Sequence, residues 1–165
     1  PGKKLNFMGN ELAQGLEWNV GRELDWWLLS RSAHAGVQTC MRDLNHLYRN
    51  TAALHDLEFN ADGFRWIDCH DADQSTLSYV RQARDGSFIV VALNFTPVPR
   101  EHYRLGVPRV GWYREIFNSD SGYYGGGNVG NGAGVVAEVG TWMNYPASVS
   151  VTLPPLAAVM LVLSQ

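Results

Sequence analysis

Two hydrophobic periods divide this chain. Between Ala33 and Ala53 apolar side chains recur every three or four residues, which predicts one long helix with a single apolar stripe. From about Leu57 onward the period changes to two, which is typical of strands that bury one face. The pattern predicts a helical first part and an all-β second part. The stripe of the helix comprises Val37, Cys40, Met41, Leu44, Leu47 and Tyr48.

Shorter elements are predicted ahead of the long helix. Leu5, Phe7 and Met8 predict a short buried strand that ends at Gly9. Residues 23–29 predict a short helix, because the acidic side chains at its start complement the helix dipole. A single strand leaves its backbone donors and acceptors unpaired, so we expect this first part to belong to something larger.

The second part predicts many short strands. Residues 84–87, Arg-Asp-Gly-Ser, predict a hairpin turn because Gly86 accepts a positive φ. Residues 88–93 are nearly all apolar and predict a central strand buried on both faces. Together these features indicate a mainly β fold, an antiparallel β-sandwich of the Greek-key type. The predicted strands cover residues 64–68, 76–83, 88–93, 112–117, 148–153 and 157–163, with another around Tyr103.

Charge and cysteine content narrow the classes of partner. The 165 residues carry a formal net charge of −3, so we expect no nucleic-acid partner and no membrane partner. No apolar run approaches the roughly 20 residues that span a bilayer. Cys40 and Cys69 have no CxxC spacing, and we expect two reduced thiols in a cytoplasmic protein.

The chemistry near the start of the chain suits a sugar. Asn10, Glu11 and Gln14 offer donors and acceptors for hydroxyl groups, and Trp18 offers a flat apolar face for a pyranose ring. Each has a structural alternative. Glu11 could equally pin the loop by accepting backbone N–H groups, and Trp18 could anchor the loop instead of holding a ligand.

Two other motifs have a chemical interpretation and a simpler one. Asp68, His70, Asp71 and Asp73 resemble a metal loop, but the segment lacks the glycine and distant glutamate of an EF-hand, and aspartate is common in turns. Residues 125–130 match G-x-G-x-x-G, yet the glycine-rich residues that follow would not form the helix that a dinucleotide needs. We expect no metal site, and we interpret this second segment as a flexible surface loop.

Three groups of segments together resemble one family, the glycogen branching enzymes of the α-amylase superfamily. The first resembles the last barrel strand and its loop, the second the following helix, and the third the C-terminal domain. The first group is residues 4–14, 17–19 and 24–26; the second is 42–45, 48–49 and 53–54. The third is 94–100, 103–104, 106–108, 113–115, 118–120, 124–126 and 153–155.

The resemblance implies a transglycosylase that cuts an α-1,4-linked glucan and transfers the segment to a 6-hydroxyl, with no metal or organic cofactor. Its carboxylates lie on earlier barrel strands, so no catalytic residue is expected here, in keeping with the lack of a convincing carboxylate pair. Asn10, Glu11, Gln14 and Trp18 are expected to support substrate binding at most. The implied partners are α-glucan, through the full-length enzyme, and the catalytic barrel of the same protein.

The resemblance also implies two domains. Residues 1–55 would be the final strand–helix unit of an incomplete (β/α)8 barrel, and residues 56–165 the β-sandwich. We expect this fragment to be inactive alone, with the sandwich stabilising the barrel. The alternative is that the sandwich binds glucan through exposed aromatic rings, with Trp112, Tyr123, Tyr124 and Trp142 as candidates.

Without a barrel, the first part should lack packing partners. We expect the first 50 or so residues to be loosely packed, disordered, or docked onto the sandwich or onto a second copy. The side chains expected to lose partners are Phe7, Met8, Trp26, Trp27 and Leu44.

Overall fold

The computed structural model describes residue 2 and residues 4–164. Helix α1 spans Ser32–Asn50 and helix α2 spans Ala52–His55. Short 3-10 helices occur at Asn10–Leu12, Trp26–Ser30, Ala61–Gly63 and Gly122–Tyr124. Eight strands follow α2 in the described part of the chain: β1 Phe64–Asp68, β2 Thr76–Gln82, β3 Phe88–Asn94, β4 Arg100–Val107, β5 Gly111–Asn118, β6 Val135–Trp142, β7 Tyr145–Leu153 and β8 Ala157–Leu163.

The change from a helical to a strand period is confirmed. The long predicted helix is α1, and extended backbone at Thr51 (φ −124°) separates it from α2. The short helix predicted at residues 23–29 is a 3-10 helix at Trp26–Ser30. All the predicted strands of the second part form, and Gly86 adopts a positive φ of 81° in the β2–β3 turn.

The strand predicted at Leu5, Phe7 and Met8 is wrong. Residues 4–7 have no regular secondary structure, and all three apolar side chains are exposed. An extended segment becomes a strand only when a neighbour pairs with its backbone, and none of the described strands lies beside it. The segment therefore retains the local pattern of a strand without forming one.

The strands form one antiparallel sheet in the order β1-β2-β3-β8-β5-β6-β7-β4. Strands β5, β6 and β7 follow one another as neighbours, and β4 pairs with the far side of β7, which is a Greek-key arrangement. The sheet closes over a core to which all eight strands contribute. The prediction of an antiparallel, Greek-key β fold is confirmed, with one continuous sheet supplying both layers.

The outer face of β2 and β3 carries a second, smaller core. Ile89 and Val91 of β3 are buried there against Ala53 and Leu54 of α2. Leu47 and Tyr48 of α1 pack against the same cluster. Because β3 thus has apolar neighbours on both sides, its nearly uniform apolar sequence is explained, as predicted. The end of the helical segment is therefore docked onto the sheet.

Arg81 joins the helical segment to the sheet. Its side chain is buried, with Nε donating to the Gly63 carbonyl (3.0 Å) and Nη2 donating to the Leu54 carbonyl (3.2 Å). Leu54 lies at the C-terminal end of α2, where a cation satisfies free carbonyl groups and complements the helix dipole. The guanidinium thereby connects α2, the 3-10 helix at Ala61–Gly63 and β2.

Candidate functional site

The predicted site begins with a tight turn that glycine makes possible. Gly9 has φ 93°, and a Cβ added to it would overlap the Gln14 side chain. The turn leads into the 3-10 helix at Asn10–Leu12, and the Gln14 amide donates back to the Gly9 carbonyl (3.2 Å). We call residues Gly9–Gln14 the glycine turn.

Glu11 closes this turn onto its own backbone. Its Oε2 accepts from the Gly9 amide (3.1 Å) and from Asn6 Nδ2 (3.4 Å). This is the structural role that the sequence leaves open for the carboxylate. It fixes where Glu11 points, and a role in substrate binding stays a prediction.

The other three predicted residues differ in their contacts. Gln14 links two loops, with Nε2 donating to the Leu16 carbonyl (2.9 Å) and Oε1 accepting from the Asp25 amide (3.3 Å). Trp18 packs edge-on against Phe7, with ring centroids 6.3 Å apart, and remains partly exposed. Asn10 is exposed. The structure thus places Asn10, Glu11 and Gln14 on one turn, while Trp18 contacts the segment that precedes it.

His34 was not predicted and holds the turn from the outside. Its Nδ1 donates to the Leu12 carbonyl (2.7 Å), and Leu12 is fully buried. His34 lies near the start of α1, so the helix and the turn are directly connected. A histidine outside the apolar stripe gives no sequence signal for a contact 22 residues away.

A groove lies between Glu11 and α1. Its volume is about 290 Å³, at the small end of the range for ligand pockets. The groove offers donors and acceptors that suit hydroxyl groups, but among its described side chains Glu11 has no second carboxylate to form a glycosidase pair. The lining side chains from α1 are Gln38, Met41, Arg42, Asn45, His46 and Arg49.

The acidic residues 68–73 at the end of β1 stabilise the connection between β1 and β2 through hydrogen bonds. Asp71 Oδ2 accepts from Thr76 Oγ1 (3.1 Å) and from the Tyr103 hydroxyl (2.9 Å). Asp68 Oδ1 accepts from the His70 amide (2.8 Å), which is a common turn contact. Burial, together with hydrogen bonding to Asp71, raises the pKa of Tyr103 to about 12. Within residue 2 and residues 4–164, no group of three metal-binding side chains could hold an ion.

The glycine-rich segment is a surface loop whose backbone is held by side-chain hydrogen bonds. Asp120 Oδ1 accepts from the Gly127 amide (3.0 Å), and its Oδ2 accepts from the Val129 amide (2.9 Å). Asn118 Nδ2 donates to the Val129 carbonyl (2.8 Å), and Glu115 Oε2 accepts from the Asn131 amide (3.0 Å). Strand β6 follows it, where the dinucleotide fingerprint requires a helix. We call residues 118–131 the glycine loop.

The glycine loop packs directly against α1. The Tyr124 hydroxyl donates to Asp43 Oδ2 (3.1 Å), and its ring lies 5.9 Å from that of Phe117. Gly36 is buried, and a Cβ added to it would overlap the Tyr124 carbonyl oxygen. Burial, reinforced by the nearby Asp43 carboxylate, raises the pKa of Tyr124 to about 12. The loop and the helix thus fit closely, with a hydrogen bond at one end.

Of the four aromatic candidates for a glucan platform, Tyr124 and Trp142 have hydrogen-bond partners of their own, and Tyr123 and Trp112 are exposed. Tyr124 contacts Asp43, and Trp142 Nε1 donates to the Arg104 carbonyl (2.9 Å) while the Arg104 guanidinium covers its ring at 4.4 Å. Tyr123 is 89% exposed and Trp112 is 42% exposed. Among the described residues, the aromatic pairs in contact include no two of these four. This arrangement does not favour a shared stacking surface.

None of the helices in the described part of the chain is long and apolar enough to cross a bilayer.

Curated relatives resemble nearly the whole chain. The "1,4-alpha-glucan branching enzyme GlgB" of Nitrosomonas europaea is 61% identical over 162 residues, covering 98% of this chain and 22% of that protein. The protein of the same name from Methylobacillus flagellatus is 61% identical over 160 residues, covering 97% of this chain and 22% of that protein. These identities confirm the predicted resemblance to branching enzymes, although the chain spans only 22% of the length of these relatives.

Solved structures and a family model address the fold. The "Catalytic Module of the Multi-modular glycogen-degrading pneumococcal virulence factor SpuA" matches with a TM-score of 0.53 and 20% identity, covering 87% of this chain and 20% of that chain. At that identity the likeness concerns the fold alone. Residues 66–164, well over half of the chain, match the family model described as "Alpha amylase, C-terminal all-beta domain". The chain therefore belongs to the family of alpha-amylase C-terminal all-beta domains.

Proposed function

We propose that this chain forms the C-terminal part of a 1,4-α-glucan branching enzyme, a retaining glycosyltransferase of glycogen biosynthesis that makes α-1,6 branches from α-1,4-linked segments. The observation that carries this proposal is the 61% identity over 98% of the chain to a relative of that name. The partner of the whole enzyme is then α-glucan. The described lining of the groove beside Glu11 has no pair of carboxylates. This supports a role in substrate binding, and not in catalysis, for the residues around Glu11, and it supports the inactivity of the chain alone.

The proposed division into two domains is supported by the exposed apolar side chains of the first part. Residues 1–55 form the last unit of the catalytic barrel, and residues 56–165 form the all-β domain. Phe7 and Met8 are each more than half exposed, and so is Trp27. Large apolar side chains this exposed support a covering partner, which here is the rest of the barrel.

The all-β domain stabilises the barrel by holding its last helix. Two contacts support this role: Tyr124 with Gly36 and Asp43 of α1, and buried Arg81 with the end of α2. Both connect the sheet to helices that would lie on the barrel.

Asn10, Glu11, Gln14 and Trp18 form part of the rim of the substrate site in the whole enzyme. The glycine turn supports this role because it fixes Glu11 and Gln14 through backbone contacts. The whole enzyme acts in the cytoplasm. Free cysteines at Cys40 and Cys69 support a reducing compartment.

A chimaeric enzyme tests the proposed function. The region of the Nitrosomonas europaea enzyme that matches this chain is replaced by residues 1–165. The branching of amylose is then measured as a decrease in the absorbance of its iodine complex. We expect the chimaera to branch amylose and the isolated chain to be inactive. The unaltered relative and a relative that lacks the region are the controls.

Two results would contradict the proposal. One is a chimaera that is soluble and unfolds as cooperatively as the unaltered relative yet does not branch amylose. The other is branching by the purified 165-residue chain alone, which would show that carboxylates within it suffice.

A further inference from the structure

We propose that the glycine loop positions the glycine turn through helix α1, with Tyr124, Gly36 and His34 as positioning residues. The coupling is a property of this chain, and only its effect on branching rests on the proposed function. The glycine loop connects strands β5 and β6 of the sheet, and the glycine turn carries Glu11 of the candidate site. The two are more than 100 positions apart in sequence, and α1 contacts both of them.

The first joint is between the loop and the helix. Gly36 lies beneath the Tyr124 carbonyl, and Asp43 Oδ2 accepts a hydrogen bond from the Tyr124 hydroxyl (3.1 Å). Gly36 and Asp43 are seven positions apart, about two helical turns, so they lie on one face of α1. The Gly127 and Val129 amides donate to the Asp120 carboxylate, which fixes the backbone of the loop behind Tyr124. A loop with a hydrogen-bonded backbone is therefore fitted to one face of the helix.

The second joint is between the helix and the turn. His34 Nδ1 donates to the Leu12 carbonyl at 2.7 Å. At about 100° per residue, His34 lies roughly 200° around the helix from Gly36, which is nearly the opposite face. Helix α1 is thus held between the glycine loop on one side and the glycine turn on the other.

The consequence is a defined route from the sheet to Glu11. A shift of α1 away from the loop moves His34, and His34 holds the turn through the fully buried Leu12. Glu11 precedes Leu12 and is bonded to the Gly9 amide of the same turn. The sheet therefore sets the position of a side chain that it does not touch.

Amide exchange of the 165-residue chain tests the coupling without any activity. Gly36→Ala should raise the exchange rates of Leu12, Ala13 and Gln14 by about fivefold, the equivalent of one ordinary hydrogen bond. Alanine favours a helix over glycine, so propensity alone would slow exchange in α1. Gly15→Ala is the matched control, because an added Cβ there meets no atom within 4 Å. Tyr124→Phe is a milder variant if Gly36→Ala does not fold.

His34 tests the second joint by rescue. His34→Leu should raise exchange at the same three amides by about fivefold. His34→Asn should restore slow exchange, because its amide nitrogen can occupy the place of Nδ1 and donate to Leu12. Unchanged exchange in the turn in Gly36→Ala or Tyr124→Phe, or equal rates in the leucine and asparagine variants, would overturn the proposal.

The chimaera shows whether the coupling reaches the substrate. Tyr124→Phe and His34→Leu should each raise KM for amylose by about fivefold with kcat nearly unchanged, and His34→Asn should restore KM. A fall in kcat through loss of folded enzyme, with KM unchanged, would overturn the positioning role. An unsubstituted chimaera that is folded but inactive would instead contradict the proposed function and leave the exchange result standing.

Discussion

The sheet and the segment of residues 4–30 are both rich in large apolar side chains, but the sheet buries most of its own and residues 4–30 leave most of theirs exposed. In the sheet, Leu161 and Val90 are fully buried in cores shared by many strands. In residues 4–30, Leu5 is 89% exposed and Trp27 is 58% exposed. The sheet provides its own partners because every strand pairs with another. The comparison teaches that apolar content commits a segment to burial only where a partner exists within reach.

A core substitution gives the largest expected difference between the two regions. Leu161→Ala should lower the free energy of unfolding by about 2–5 kcal/mol, because it leaves a cavity in the closed core. Trp27→Ala should change it by less than about 0.5 kcal/mol, because the ring is mostly exposed. Urea unfolding of both variants measures the difference. Similar losses would mean that residues 4–30 have a core of their own.

The joint at Arg81 should give the next largest effect. Arg81→Met leaves the Gly63 carbonyl without its side-chain donor and leaves Leu54 with only the longer contact from Lys4 Nζ (3.3 Å), which should cost about 1–3 kcal/mol of unfolding free energy. Arg84→Met removes an exposed arginine whose contact with Asp56 is 3.6 Å, and should cost less than about 1 kcal/mol. Urea unfolding followed by circular dichroism compares them. Equal effects would show that Arg81 does not join the helices to the sheet.

Alkaline pH should weaken both the core and the loop contact. The pKa values of Tyr113 and Tyr124 are raised from 10.0 to about 12, chiefly by burial. Both groups hold their protons more tightly in the folded state, so their contribution is complete below pH 10 and is lost as pH rises toward 12. The urea midpoint should therefore fall between pH 10 and 12. In Tyr124→Phe the fall should be shallower, and an equal fall would exclude a contribution from this residue.

The smallest effect is expected at the glycine turn. Glu11→Ala removes the acceptor for the Gly9 amide and should speed its exchange about fivefold, the equivalent of one hydrogen bond. Global unfolding should not change, because the turn opens locally. Glu17→Ala is the matched control, since Glu17 is exposed on the same segment. A parallel loss of global stability would mean that the turn and the sheet unfold as one unit.

Local sequence patterns predicted most strands of the sheet, but they did not predict which extended segments find a pairing partner. Phe88–Asn94 is recognisable as a central strand because its apolar run needs burial on both faces. Strand β6 was missed because Val136 and Val139 face outward while only Ala137 is deeply buried, so its alternation is weak. The same local reasoning wrongly predicted a strand at Leu5–Met8, where no described strand is available for pairing.

The candidate site was less predictable than the fold. The residue types of Asn10, Glu11, Gln14 and Trp18 indicate what the site could bind, but the hydrogen bond from the Gly9 amide to Glu11 depends on a turn that residue types do not specify. His34 gave no signal because its partner, Leu12, lies 22 positions away. The resemblance to branching enzymes implied the α-glucan substrate and the place of these residues near the active site of the whole enzyme. The roles of these four residues in substrate binding stay predictions.

The sequence by itself determined the helix, most of the strands and the family, because periodicity, turn residues and motifs are properties of neighbouring positions. Tertiary structure alone decided which apolar segment would pair and which would stay exposed. It also decided how the glycine loop is held, since the Gly127 and Val129 amides donate to the Asp120 carboxylate. Burial and hydrogen bonding depend on distance in space, and neither is written in the spacing of residues along the chain.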